Sequence, residues 1–253
     1  MNKAFLERIG LPETASLDLG QILTAFYSTI PFENLGIIRG ERTGLDEASL
    51  TEKIVNQRRG GVCYELNALL YYFLLENGLD VRLIQGTVYN HAKGSWSLSG
   101  THAALLMTNE KGVFLVDAGF GTNVAGVPIP MNGEAVQTAS GQFRVLRQET
   151  EEGTHLLQMK LAYEEAGEWK TGYAFCADQP IYTEELTAMQ HKIHTHPDSP
   201  FNKAPLAAMR TADGGYKSLS PQSFTVTNSE GKVKQEIGEK EFAEVAEREF
   251  GLI

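Results

Sequence analysis

Cysteine is scarce in this sequence. Cys63 and Cys176 are the two cysteines among 253 residues, and no C-x-x-C pair exists. A disulfide framework and a cysteine-rich zinc site are therefore excluded as organising devices. Long apolar runs are missing as well. The longest, Ala68–Leu75, has eight residues, far short of the roughly 20 that span a bilayer. The opening MNKAFLERIG lacks the apolar region of a signal peptide. The expectation is a cytoplasmic chain with both thiols free and no membrane partner. Basic residues are outnumbered: 22 Lys and Arg stand against 32 Asp and Glu, for a net charge of −10. Nucleic acid is not an expected partner, because phosphate binding needs a basic footprint. An anionic small molecule stays open, since a local pocket can oppose the global field. Internal repeats and low-complexity linkers are also lacking.

What is present is ordinary globular material. The apolar share is 42% and the charged share 21%, and a chain of this length buries a sizeable core in one large domain or two to three small ones. The first third reads as helical. Leu17, Leu19, Ile22, Leu23, Phe26 and Ile30 follow roughly helical spacing after Ser16, a candidate N-cap. Residues 47–58 form a second amphipathic segment. A third runs from about Tyr64 to Asn77, with Gly78 as a C′ residue. The pattern then turns to short apolar runs of strand length, VRLIQGTVYN, HAALLMTN and GVFLVDAG. A hairpin turn at Asn109–Gly112 joins the last two. Further strands are expected at 142–147, 155–163, 168–176, 205–211, 222–227 and 232–237, with a final helix at 239–250. The proline-rich stretch His194–Pro205 reads as an irregular crossing. Helices first and strands afterwards indicate an α+β protein.

The most informative segment is Arg58-Arg59-Gly60-Gly61-Val62-Cys63-Tyr64-Glu65-Leu66-Asn67. Two glycines allow a tight turn just before a helical pattern begins. Cys63 then stands at a helix N-terminus, whose unpaired N–H groups favour an anion. Such a position favours the thiolate, and the same donors can hold an oxyanion. A lone cysteine is more often a buried structural residue. Double glycine, double arginine and the polar Glu65 and Asn67 are poor core material, however, and argue against that alternative.

A nucleophilic cysteine needs a base. Of the six histidines, His91 lies in a polar turn and His155 follows an acidic loop. His191, His194 and His196 fall in the late segment. Their spacing suggests a metal site, but no Asp or Cys cluster accompanies them, and no metal is expected. His102 differs in opening the strand HAALLM beside small residues, where a sheet end forms clefts. A merely satisfied histidine at a strand end is the alternative. Asp117 closes the apolar strand VFLV, where an aspartate is costly unless paired. Its bland role would be to cap the glycine turn that follows. With the hairpin turning at 109–112, the position facing His102 is within two residues of Asp117, close enough for a hydrogen bond that orients the imidazole.

Together these residues resemble the arylamine N-acetyltransferase family. Arg59–Asn67 is similar to its R-G-G-x-C-x-E-x-N signature, with His102 and Asp117 in the order and spacing of its triad. Pro31-Phe32-Glu33-Asn34-Leu35 resembles its F-E-N motif, and Leu6-Glu7-Arg8-Ile9-Gly10 its L-x-R-I-G. Val116–Gly121 resembles its V-D-x-G-F-G, and Ser199-Pro200-Phe201 its late S-P-F. The matches run from residue 6 to 201. The segment Gln190–Pro197 departs from the family's usual wording, and no motif stands out after Pro205.

The resemblance implies an N-terminal helical bundle over 1–84 carrying the nucleophile, a central β-barrel over 85–190 carrying His102 and Asp117, and a C-terminal α/β lid over 191–253. The first two would form a papain-like Cys-His-Asp core. It implies acetyl-CoA as co-substrate, with Thr101 and Gly121 near its phosphates, and no metal. Phe32, Phe120 and Phe201 would surround the acceptor, and Arg8 and Glu33 would pair behind the nucleophile. The implied reaction is acetyl transfer to an arylamine, aryl hydrazine or arylhydroxylamine through an acetyl-cysteine. The rivals are an amide synthase of the same superfamily, a papain-like or transglutaminase-like hydrolase, and a non-catalytic binding module.

Overall fold

The computed structural model describes residues 2–13, 18–163 and 167–252. Helices α1 (Asn2–Arg8), α2 (Leu19–Thr29), α3 (Leu35–Ile38) and α4 (Glu47–Leu50) precede α5 (Cys63–Glu76). Later come α6 (Thr183–Thr195) and α7 (Glu239–Phe250). The strands are β1 (Phe32–Glu33), β2 (Asp80–Asn90), β3 (Ser95–Trp96), β4 (His102–Asn109), β5 (Gly112–Val116), β6 (Ile129–Pro130) and β7 (Val136–Thr138). They continue with β8 (Gly141–Thr150), β9 (Gly153–Leu161), β10 (Lys170–Ile181), β11 (Ala207–Arg210), β12 (Tyr216–Ser220), β13 (Ser223–Asn228) and β14 (Gly231–Glu236).

Local chemistry explains most boundaries. Ser16 and Leu17 lie outside the described residues; the first turn of α2 is capped by Asp18, which accepts from Gly20 N at 2.8 Å and Gln21 N at 3.2 Å. The segment expected as one helix over 47–58 is α4 running into a π-helical turn, Thr51–Asn56. Helix α5 ends at Asn77, and Gly78 follows with φ +75°, the left-handed conformation of a C′ glycine.

Strand β4 is buried on both faces, and its alternation sorts the core. Ala103, Leu105 and Met107 face the helical cluster around Phe5, Phe26, Leu69 and Phe73. Ala104 and Leu106 face the barrel interior with Ile84, Phe143, Leu157 and Phe175. The larger sheet runs β6-β5-β4-β2-β10-β9-β8-β7, with β3 on β2, and curls until β6 packs on β8. The smaller sheet runs β1-β11-β12-β13-β14 and packs on α7 around Leu219, Phe224, Val245 and Phe250. Its first strand comes from residues 32–33, so the chain's beginning and end share one sheet: Phe32 pairs with Ala208 and Glu33 with Ala207.

Several elements depart from the sequence reading: the short strands β1, β3, β6 and β7, and β12 in the smaller sheet, were not expected, and β10 and α6 differ most. Strand β10 runs five residues past the expected 176, through Asp178, Gln179 and Pro180; a register shift between Phe175 and Pro180 forms a bulge that tolerates the proline. Helix α6 was not expected at all, and its last turn enters the stretch read as irregular. Its apolar contribution is sparse: Leu186, Met189 and Ile193 are the buried hydrophobics of its one inward face.

Candidate active site

Helix α5 begins at Cys63, which is 3% exposed. The turn before it is possible because Gly60 has no side chain: a Cβ there would collide with the Pro31 carbonyl. Glu65, the third helical residue, folds back to accept from Val62 N at 3.2 Å and pairs with buried Lys53 at 2.6 Å. This ties the helix start to the π turn. The Cys63 sulfur lies 3.4 Å from Thr101 O.

His102 Nε2 donates to Asp117 Oδ2 at 2.7 Å, which leaves Nδ1 as the ring nitrogen available to Cys63. Asp117 is held from four directions. Oδ2 also accepts from the Tyr173 hydroxyl at 3.0 Å, and Oδ1 accepts from Asn67 Nδ2 at 2.9 Å and Gly119 N at 2.7 Å. Burial would push His102 down, but the Asp117 charge and hydrogen bond, with the Cys63 sulfur, raise it to about 10. Burial would likewise raise Asp117; the His102 charge and the donors around it keep it below the usual carboxylate range. The ring is therefore an imidazolium at neutral pH, beside the sulfur.

Two further residues complete the geometry. Asn67 lies one turn beyond Cys63, donates also to Ala103 O at 2.7 Å and accepts from Ala118 N at 2.9 Å. Its place in the R-G-G-x-C-x-E-x-N run was the available signal. The Tyr173 ring packs tilted at 47° against His102 with centroids 4.4 Å apart; nothing local in β10 marked it. Gly119 permits the approach of the Asp117 turn to the helix, since a Cβ would lie 2.7 Å from Cys63 Cα and from Asn67 Nδ2.

Cys63, Thr101, His102 and Gly121 share a cavity of about 310 Å³ with Phe32, Phe120 and Phe201. Phe120 lies 5.1 Å from the His102 ring, and Phe32 meets Phe201 edge-on at 5.7 Å. The Thr101 hydroxyl donates to Leu98 O at 2.7 Å, and Gly121 opens a short turn with φ +59°. The expected Arg8–Glu33 pair is not formed. The Arg8 guanidinium donates to the carbonyls of Thr29, Ile54, Arg58 and Arg59, and burial, with the Arg58 charge, brings it down to about 10. Glu33 Oε2 accepts from Leu35 N at 2.6 Å. Among the described residues no group of three or more His, Cys, Asp or Glu is placed to hold a metal ion, and no helix is long and apolar enough to cross a membrane.

Residues 17–253 match the model of a family described as N-acetyltransferase. The chain is 39% identical over 235 residues to an uncharacterized acetyltransferase, YvcN, of Bacillus subtilis, covering 92% of this chain and 90% of that one. Arylamine N-acetyltransferase C from Bacillus anthracis has a solved structure similar at TM-score 0.94 and 35% identity, over 100% of this chain and 98% of that chain. The Mycobacterium marinum arylamine N-acetyltransferase in complex with CoA is similar at TM-score 0.87 and 28% identity, over 100% and 93%.

Proposed function

The chain belongs to the arylamine N-acetyltransferase family and is an acyltransferase, and we propose that it moves the acetyl group of acetyl-CoA through Cys63 to an aromatic amine, aryl hydrazine or arylhydroxylamine. One observation carries this reading: the Cys63 sulfur, at a helix start, shares a cavity with a His102 ring that is charged by Asp117. A histidine beside the sulfur can carry the proton that each half-reaction moves.

In the first half-reaction the Cys63 sulfur attacks the thioester carbonyl. A Cys63–acetyl bond forms, the bond to the CoA sulfur breaks, and His102 gives its proton to that leaving sulfur. In the second, the amine nitrogen attacks the acetyl-cysteine, His102 takes the amine proton, and Cys63 leaves as thiolate. Asp117 holds the ring's orientation and balances its charge throughout. The main-chain N–H of Cys63, at the very start of α5 and ahead of Glu65 N, which is bonded to Val62 O, serves the oxyanion. Thr101 and Gly121, in the cavity wall, serve the donor.

The acceptor choice follows from the wall. Among the described residues, Cys63 and His102 are the ionisable side chains lining the cavity. No carboxylate is there to receive an alkylammonium, with its pKa near roughly 10.4. Anilines and aryl hydrazines arrive neutral, and the phenylalanines favour a flat ring. The volume is near the lower end of ligand-sized pockets, which suits one ring better than the long chain of a macrolactam.

Intact mass after mixing with acetyl-CoA alone tests the reading. The expected result is one acetyl group on Cys63, removed when an arylamine is added, and none on the Cys63→Ser variant. A protein that gains no acetyl group is a binding module or a hydrolase instead.

A further inference from the structure

Asn34 belongs to the F-E-N run but has no part in the chemistry above. It is the N-cap residue of α3, where asparagine ordinarily caps the helix with its side chain. Here it makes no such bond, and Glu33 Oε2 takes the Leu35 N–H instead. The Asn34 carboxamide, 1% exposed, turns to a segment some 170 residues away. Nδ2 donates to Phe201 O and to Ala204 O, both at 2.8 Å, and Oδ1 accepts from Leu206 N at 2.7 Å. Asn34 N adds a longer bond to Leu206 O at 3.4 Å.

Phe201–Leu206 contains only the end of a short 3-10 turn and has no ladder of its own; Pro205 also lacks an N–H. Its two ends, Phe201 and Leu206, line the cavity, and Phe201 leans on Phe32, two residues before Asn34. The carboxamide is thus a template that sets the depth of the aromatic wall. Its own atoms stay out of the cavity lining.

We infer that Asn34 is a positioning residue for acceptor selectivity, fixing Phe201 and Leu206 so that the cavity grips an aromatic ring; this rests on the acetyl-transfer reading above. The donor half-reaction depends on Cys63, His102 and Asp117, none of which Asn34 touches. Loss of the template therefore affects ring recognition and leaves loading of Cys63 intact.

The experiment compares phenylhydrazine with hydrazine, which share the nucleophilic nitrogen and differ by the ring, in wild type, Asn34→Asp and Asn34→Ala. Asn34→Asp keeps the size and the acceptor for Leu206 N but turns a carboxylate on two carbonyls. Both variants should acquire acetyl on Cys63 from acetyl-CoA at the wild-type rate and keep hydrazine turnover. For phenylhydrazine, kcat/KM should fall by about 10- to 100-fold, the scale of a misplaced wall, mainly through KM. Phe201→Ala should lose the ring preference too, and adding Asn34→Asp to it should cost little more. Equal losses for both acceptors, slower loading, unchanged phenylhydrazine kinetics or unfolding of both variants would each overturn the inference. A wild type that never loads Cys63 would instead refute the acetyl-transfer reading.

Discussion

Asn67 Nδ2 stands 2.9 Å from Asp117 Oδ1, and the same carboxamide bonds Ala103 O and Ala118 N. One fully buried side chain therefore joins the helix that carries Cys63 to the strand that carries His102 and to the turn after Asp117. Asn67→Ala orphans a carbonyl, an N–H and one carboxylate bond in a dry site. We expect a loss of about 3 kcal/mol in stability, read as a lower urea midpoint at unchanged slope, with a fall in acetyl transfer. A midpoint within about 0.5 kcal/mol of wild type would show that water replaces the amide freely.

Asp117→Asn keeps the size of the side chain but removes the charge behind His102. The amide also places a donor where Asp117 accepts four hydrogen bonds. Turnover should fall by about 10²- to 10⁴-fold, the upper figure being the scale of the same change in a serine triad. Stopped-flow formation of acetyl-enzyme should slow in parallel. Full activity would reduce Asp117 to a cap for the Gly119 turn.

The His102–Asp117 pair also makes stability depend on pH. His102 is raised to about 10 from an unfolded value near roughly 6.5. Its contribution is therefore complete below about 6.5 and is lost as pH rises through about 10. Asp117 is lowered, so its contribution is present above roughly 3.9 and is lost as pH falls through its folded value. The difference in melting temperature between wild type and His102→Gln should shrink as pH rises from about 7 to about 10. A constant difference across that range would mean that the folded ring is neutral.

The two thiols separate access from activation. Cys63 is buried at 3% exposure, while Cys176 is half-buried on β10. Access alone favours Cys176. Cys63, unlike Cys176, shares a cavity with the His102 ring, the partner that makes a sulfur a nucleophile. Iodoacetamide at mildly acidic pH should label Cys63 much faster, as peptide mapping would show. Faster labelling of Cys176 would leave the ion pair without chemical consequence.

Much of the site was legible because it is built from local signals. The glycine pair before Cys63, the helical period after it and the turn at 109–112 each report short-range geometry. They bring Cys63, His102 and Asp117 to one place once the hairpin lies on α5. The observed register, Leu105 opposite Val116 and Asn109 opposite Gly112, follows directly from that turn. Helix α6 escaped notice because few apolar residues mark its inward face. The Arg8–Glu33 pair, implied by resemblance, gave way to carbonyls that only packing brings to the guanidinium.

Sequence alone determined where Cys63 stands and that His102 and Asp117 meet near it, since helix starts, hairpin turns and apolar alternation are properties of a few consecutive residues. Tertiary structure decided what holds them. Tyr173 reaches Asp117 across 56 positions and Asn34 reaches Phe201 across 167. Before folding, that tyrosine is one more aromatic in a strand and that asparagine one more helix cap. Their hydrogen-bonding partners exist as neighbours only when the barrel has closed and the small sheet has joined the two ends of the chain. A polar group buried that far from water is stable only with such partners, so the packing that buries it also assigns its role.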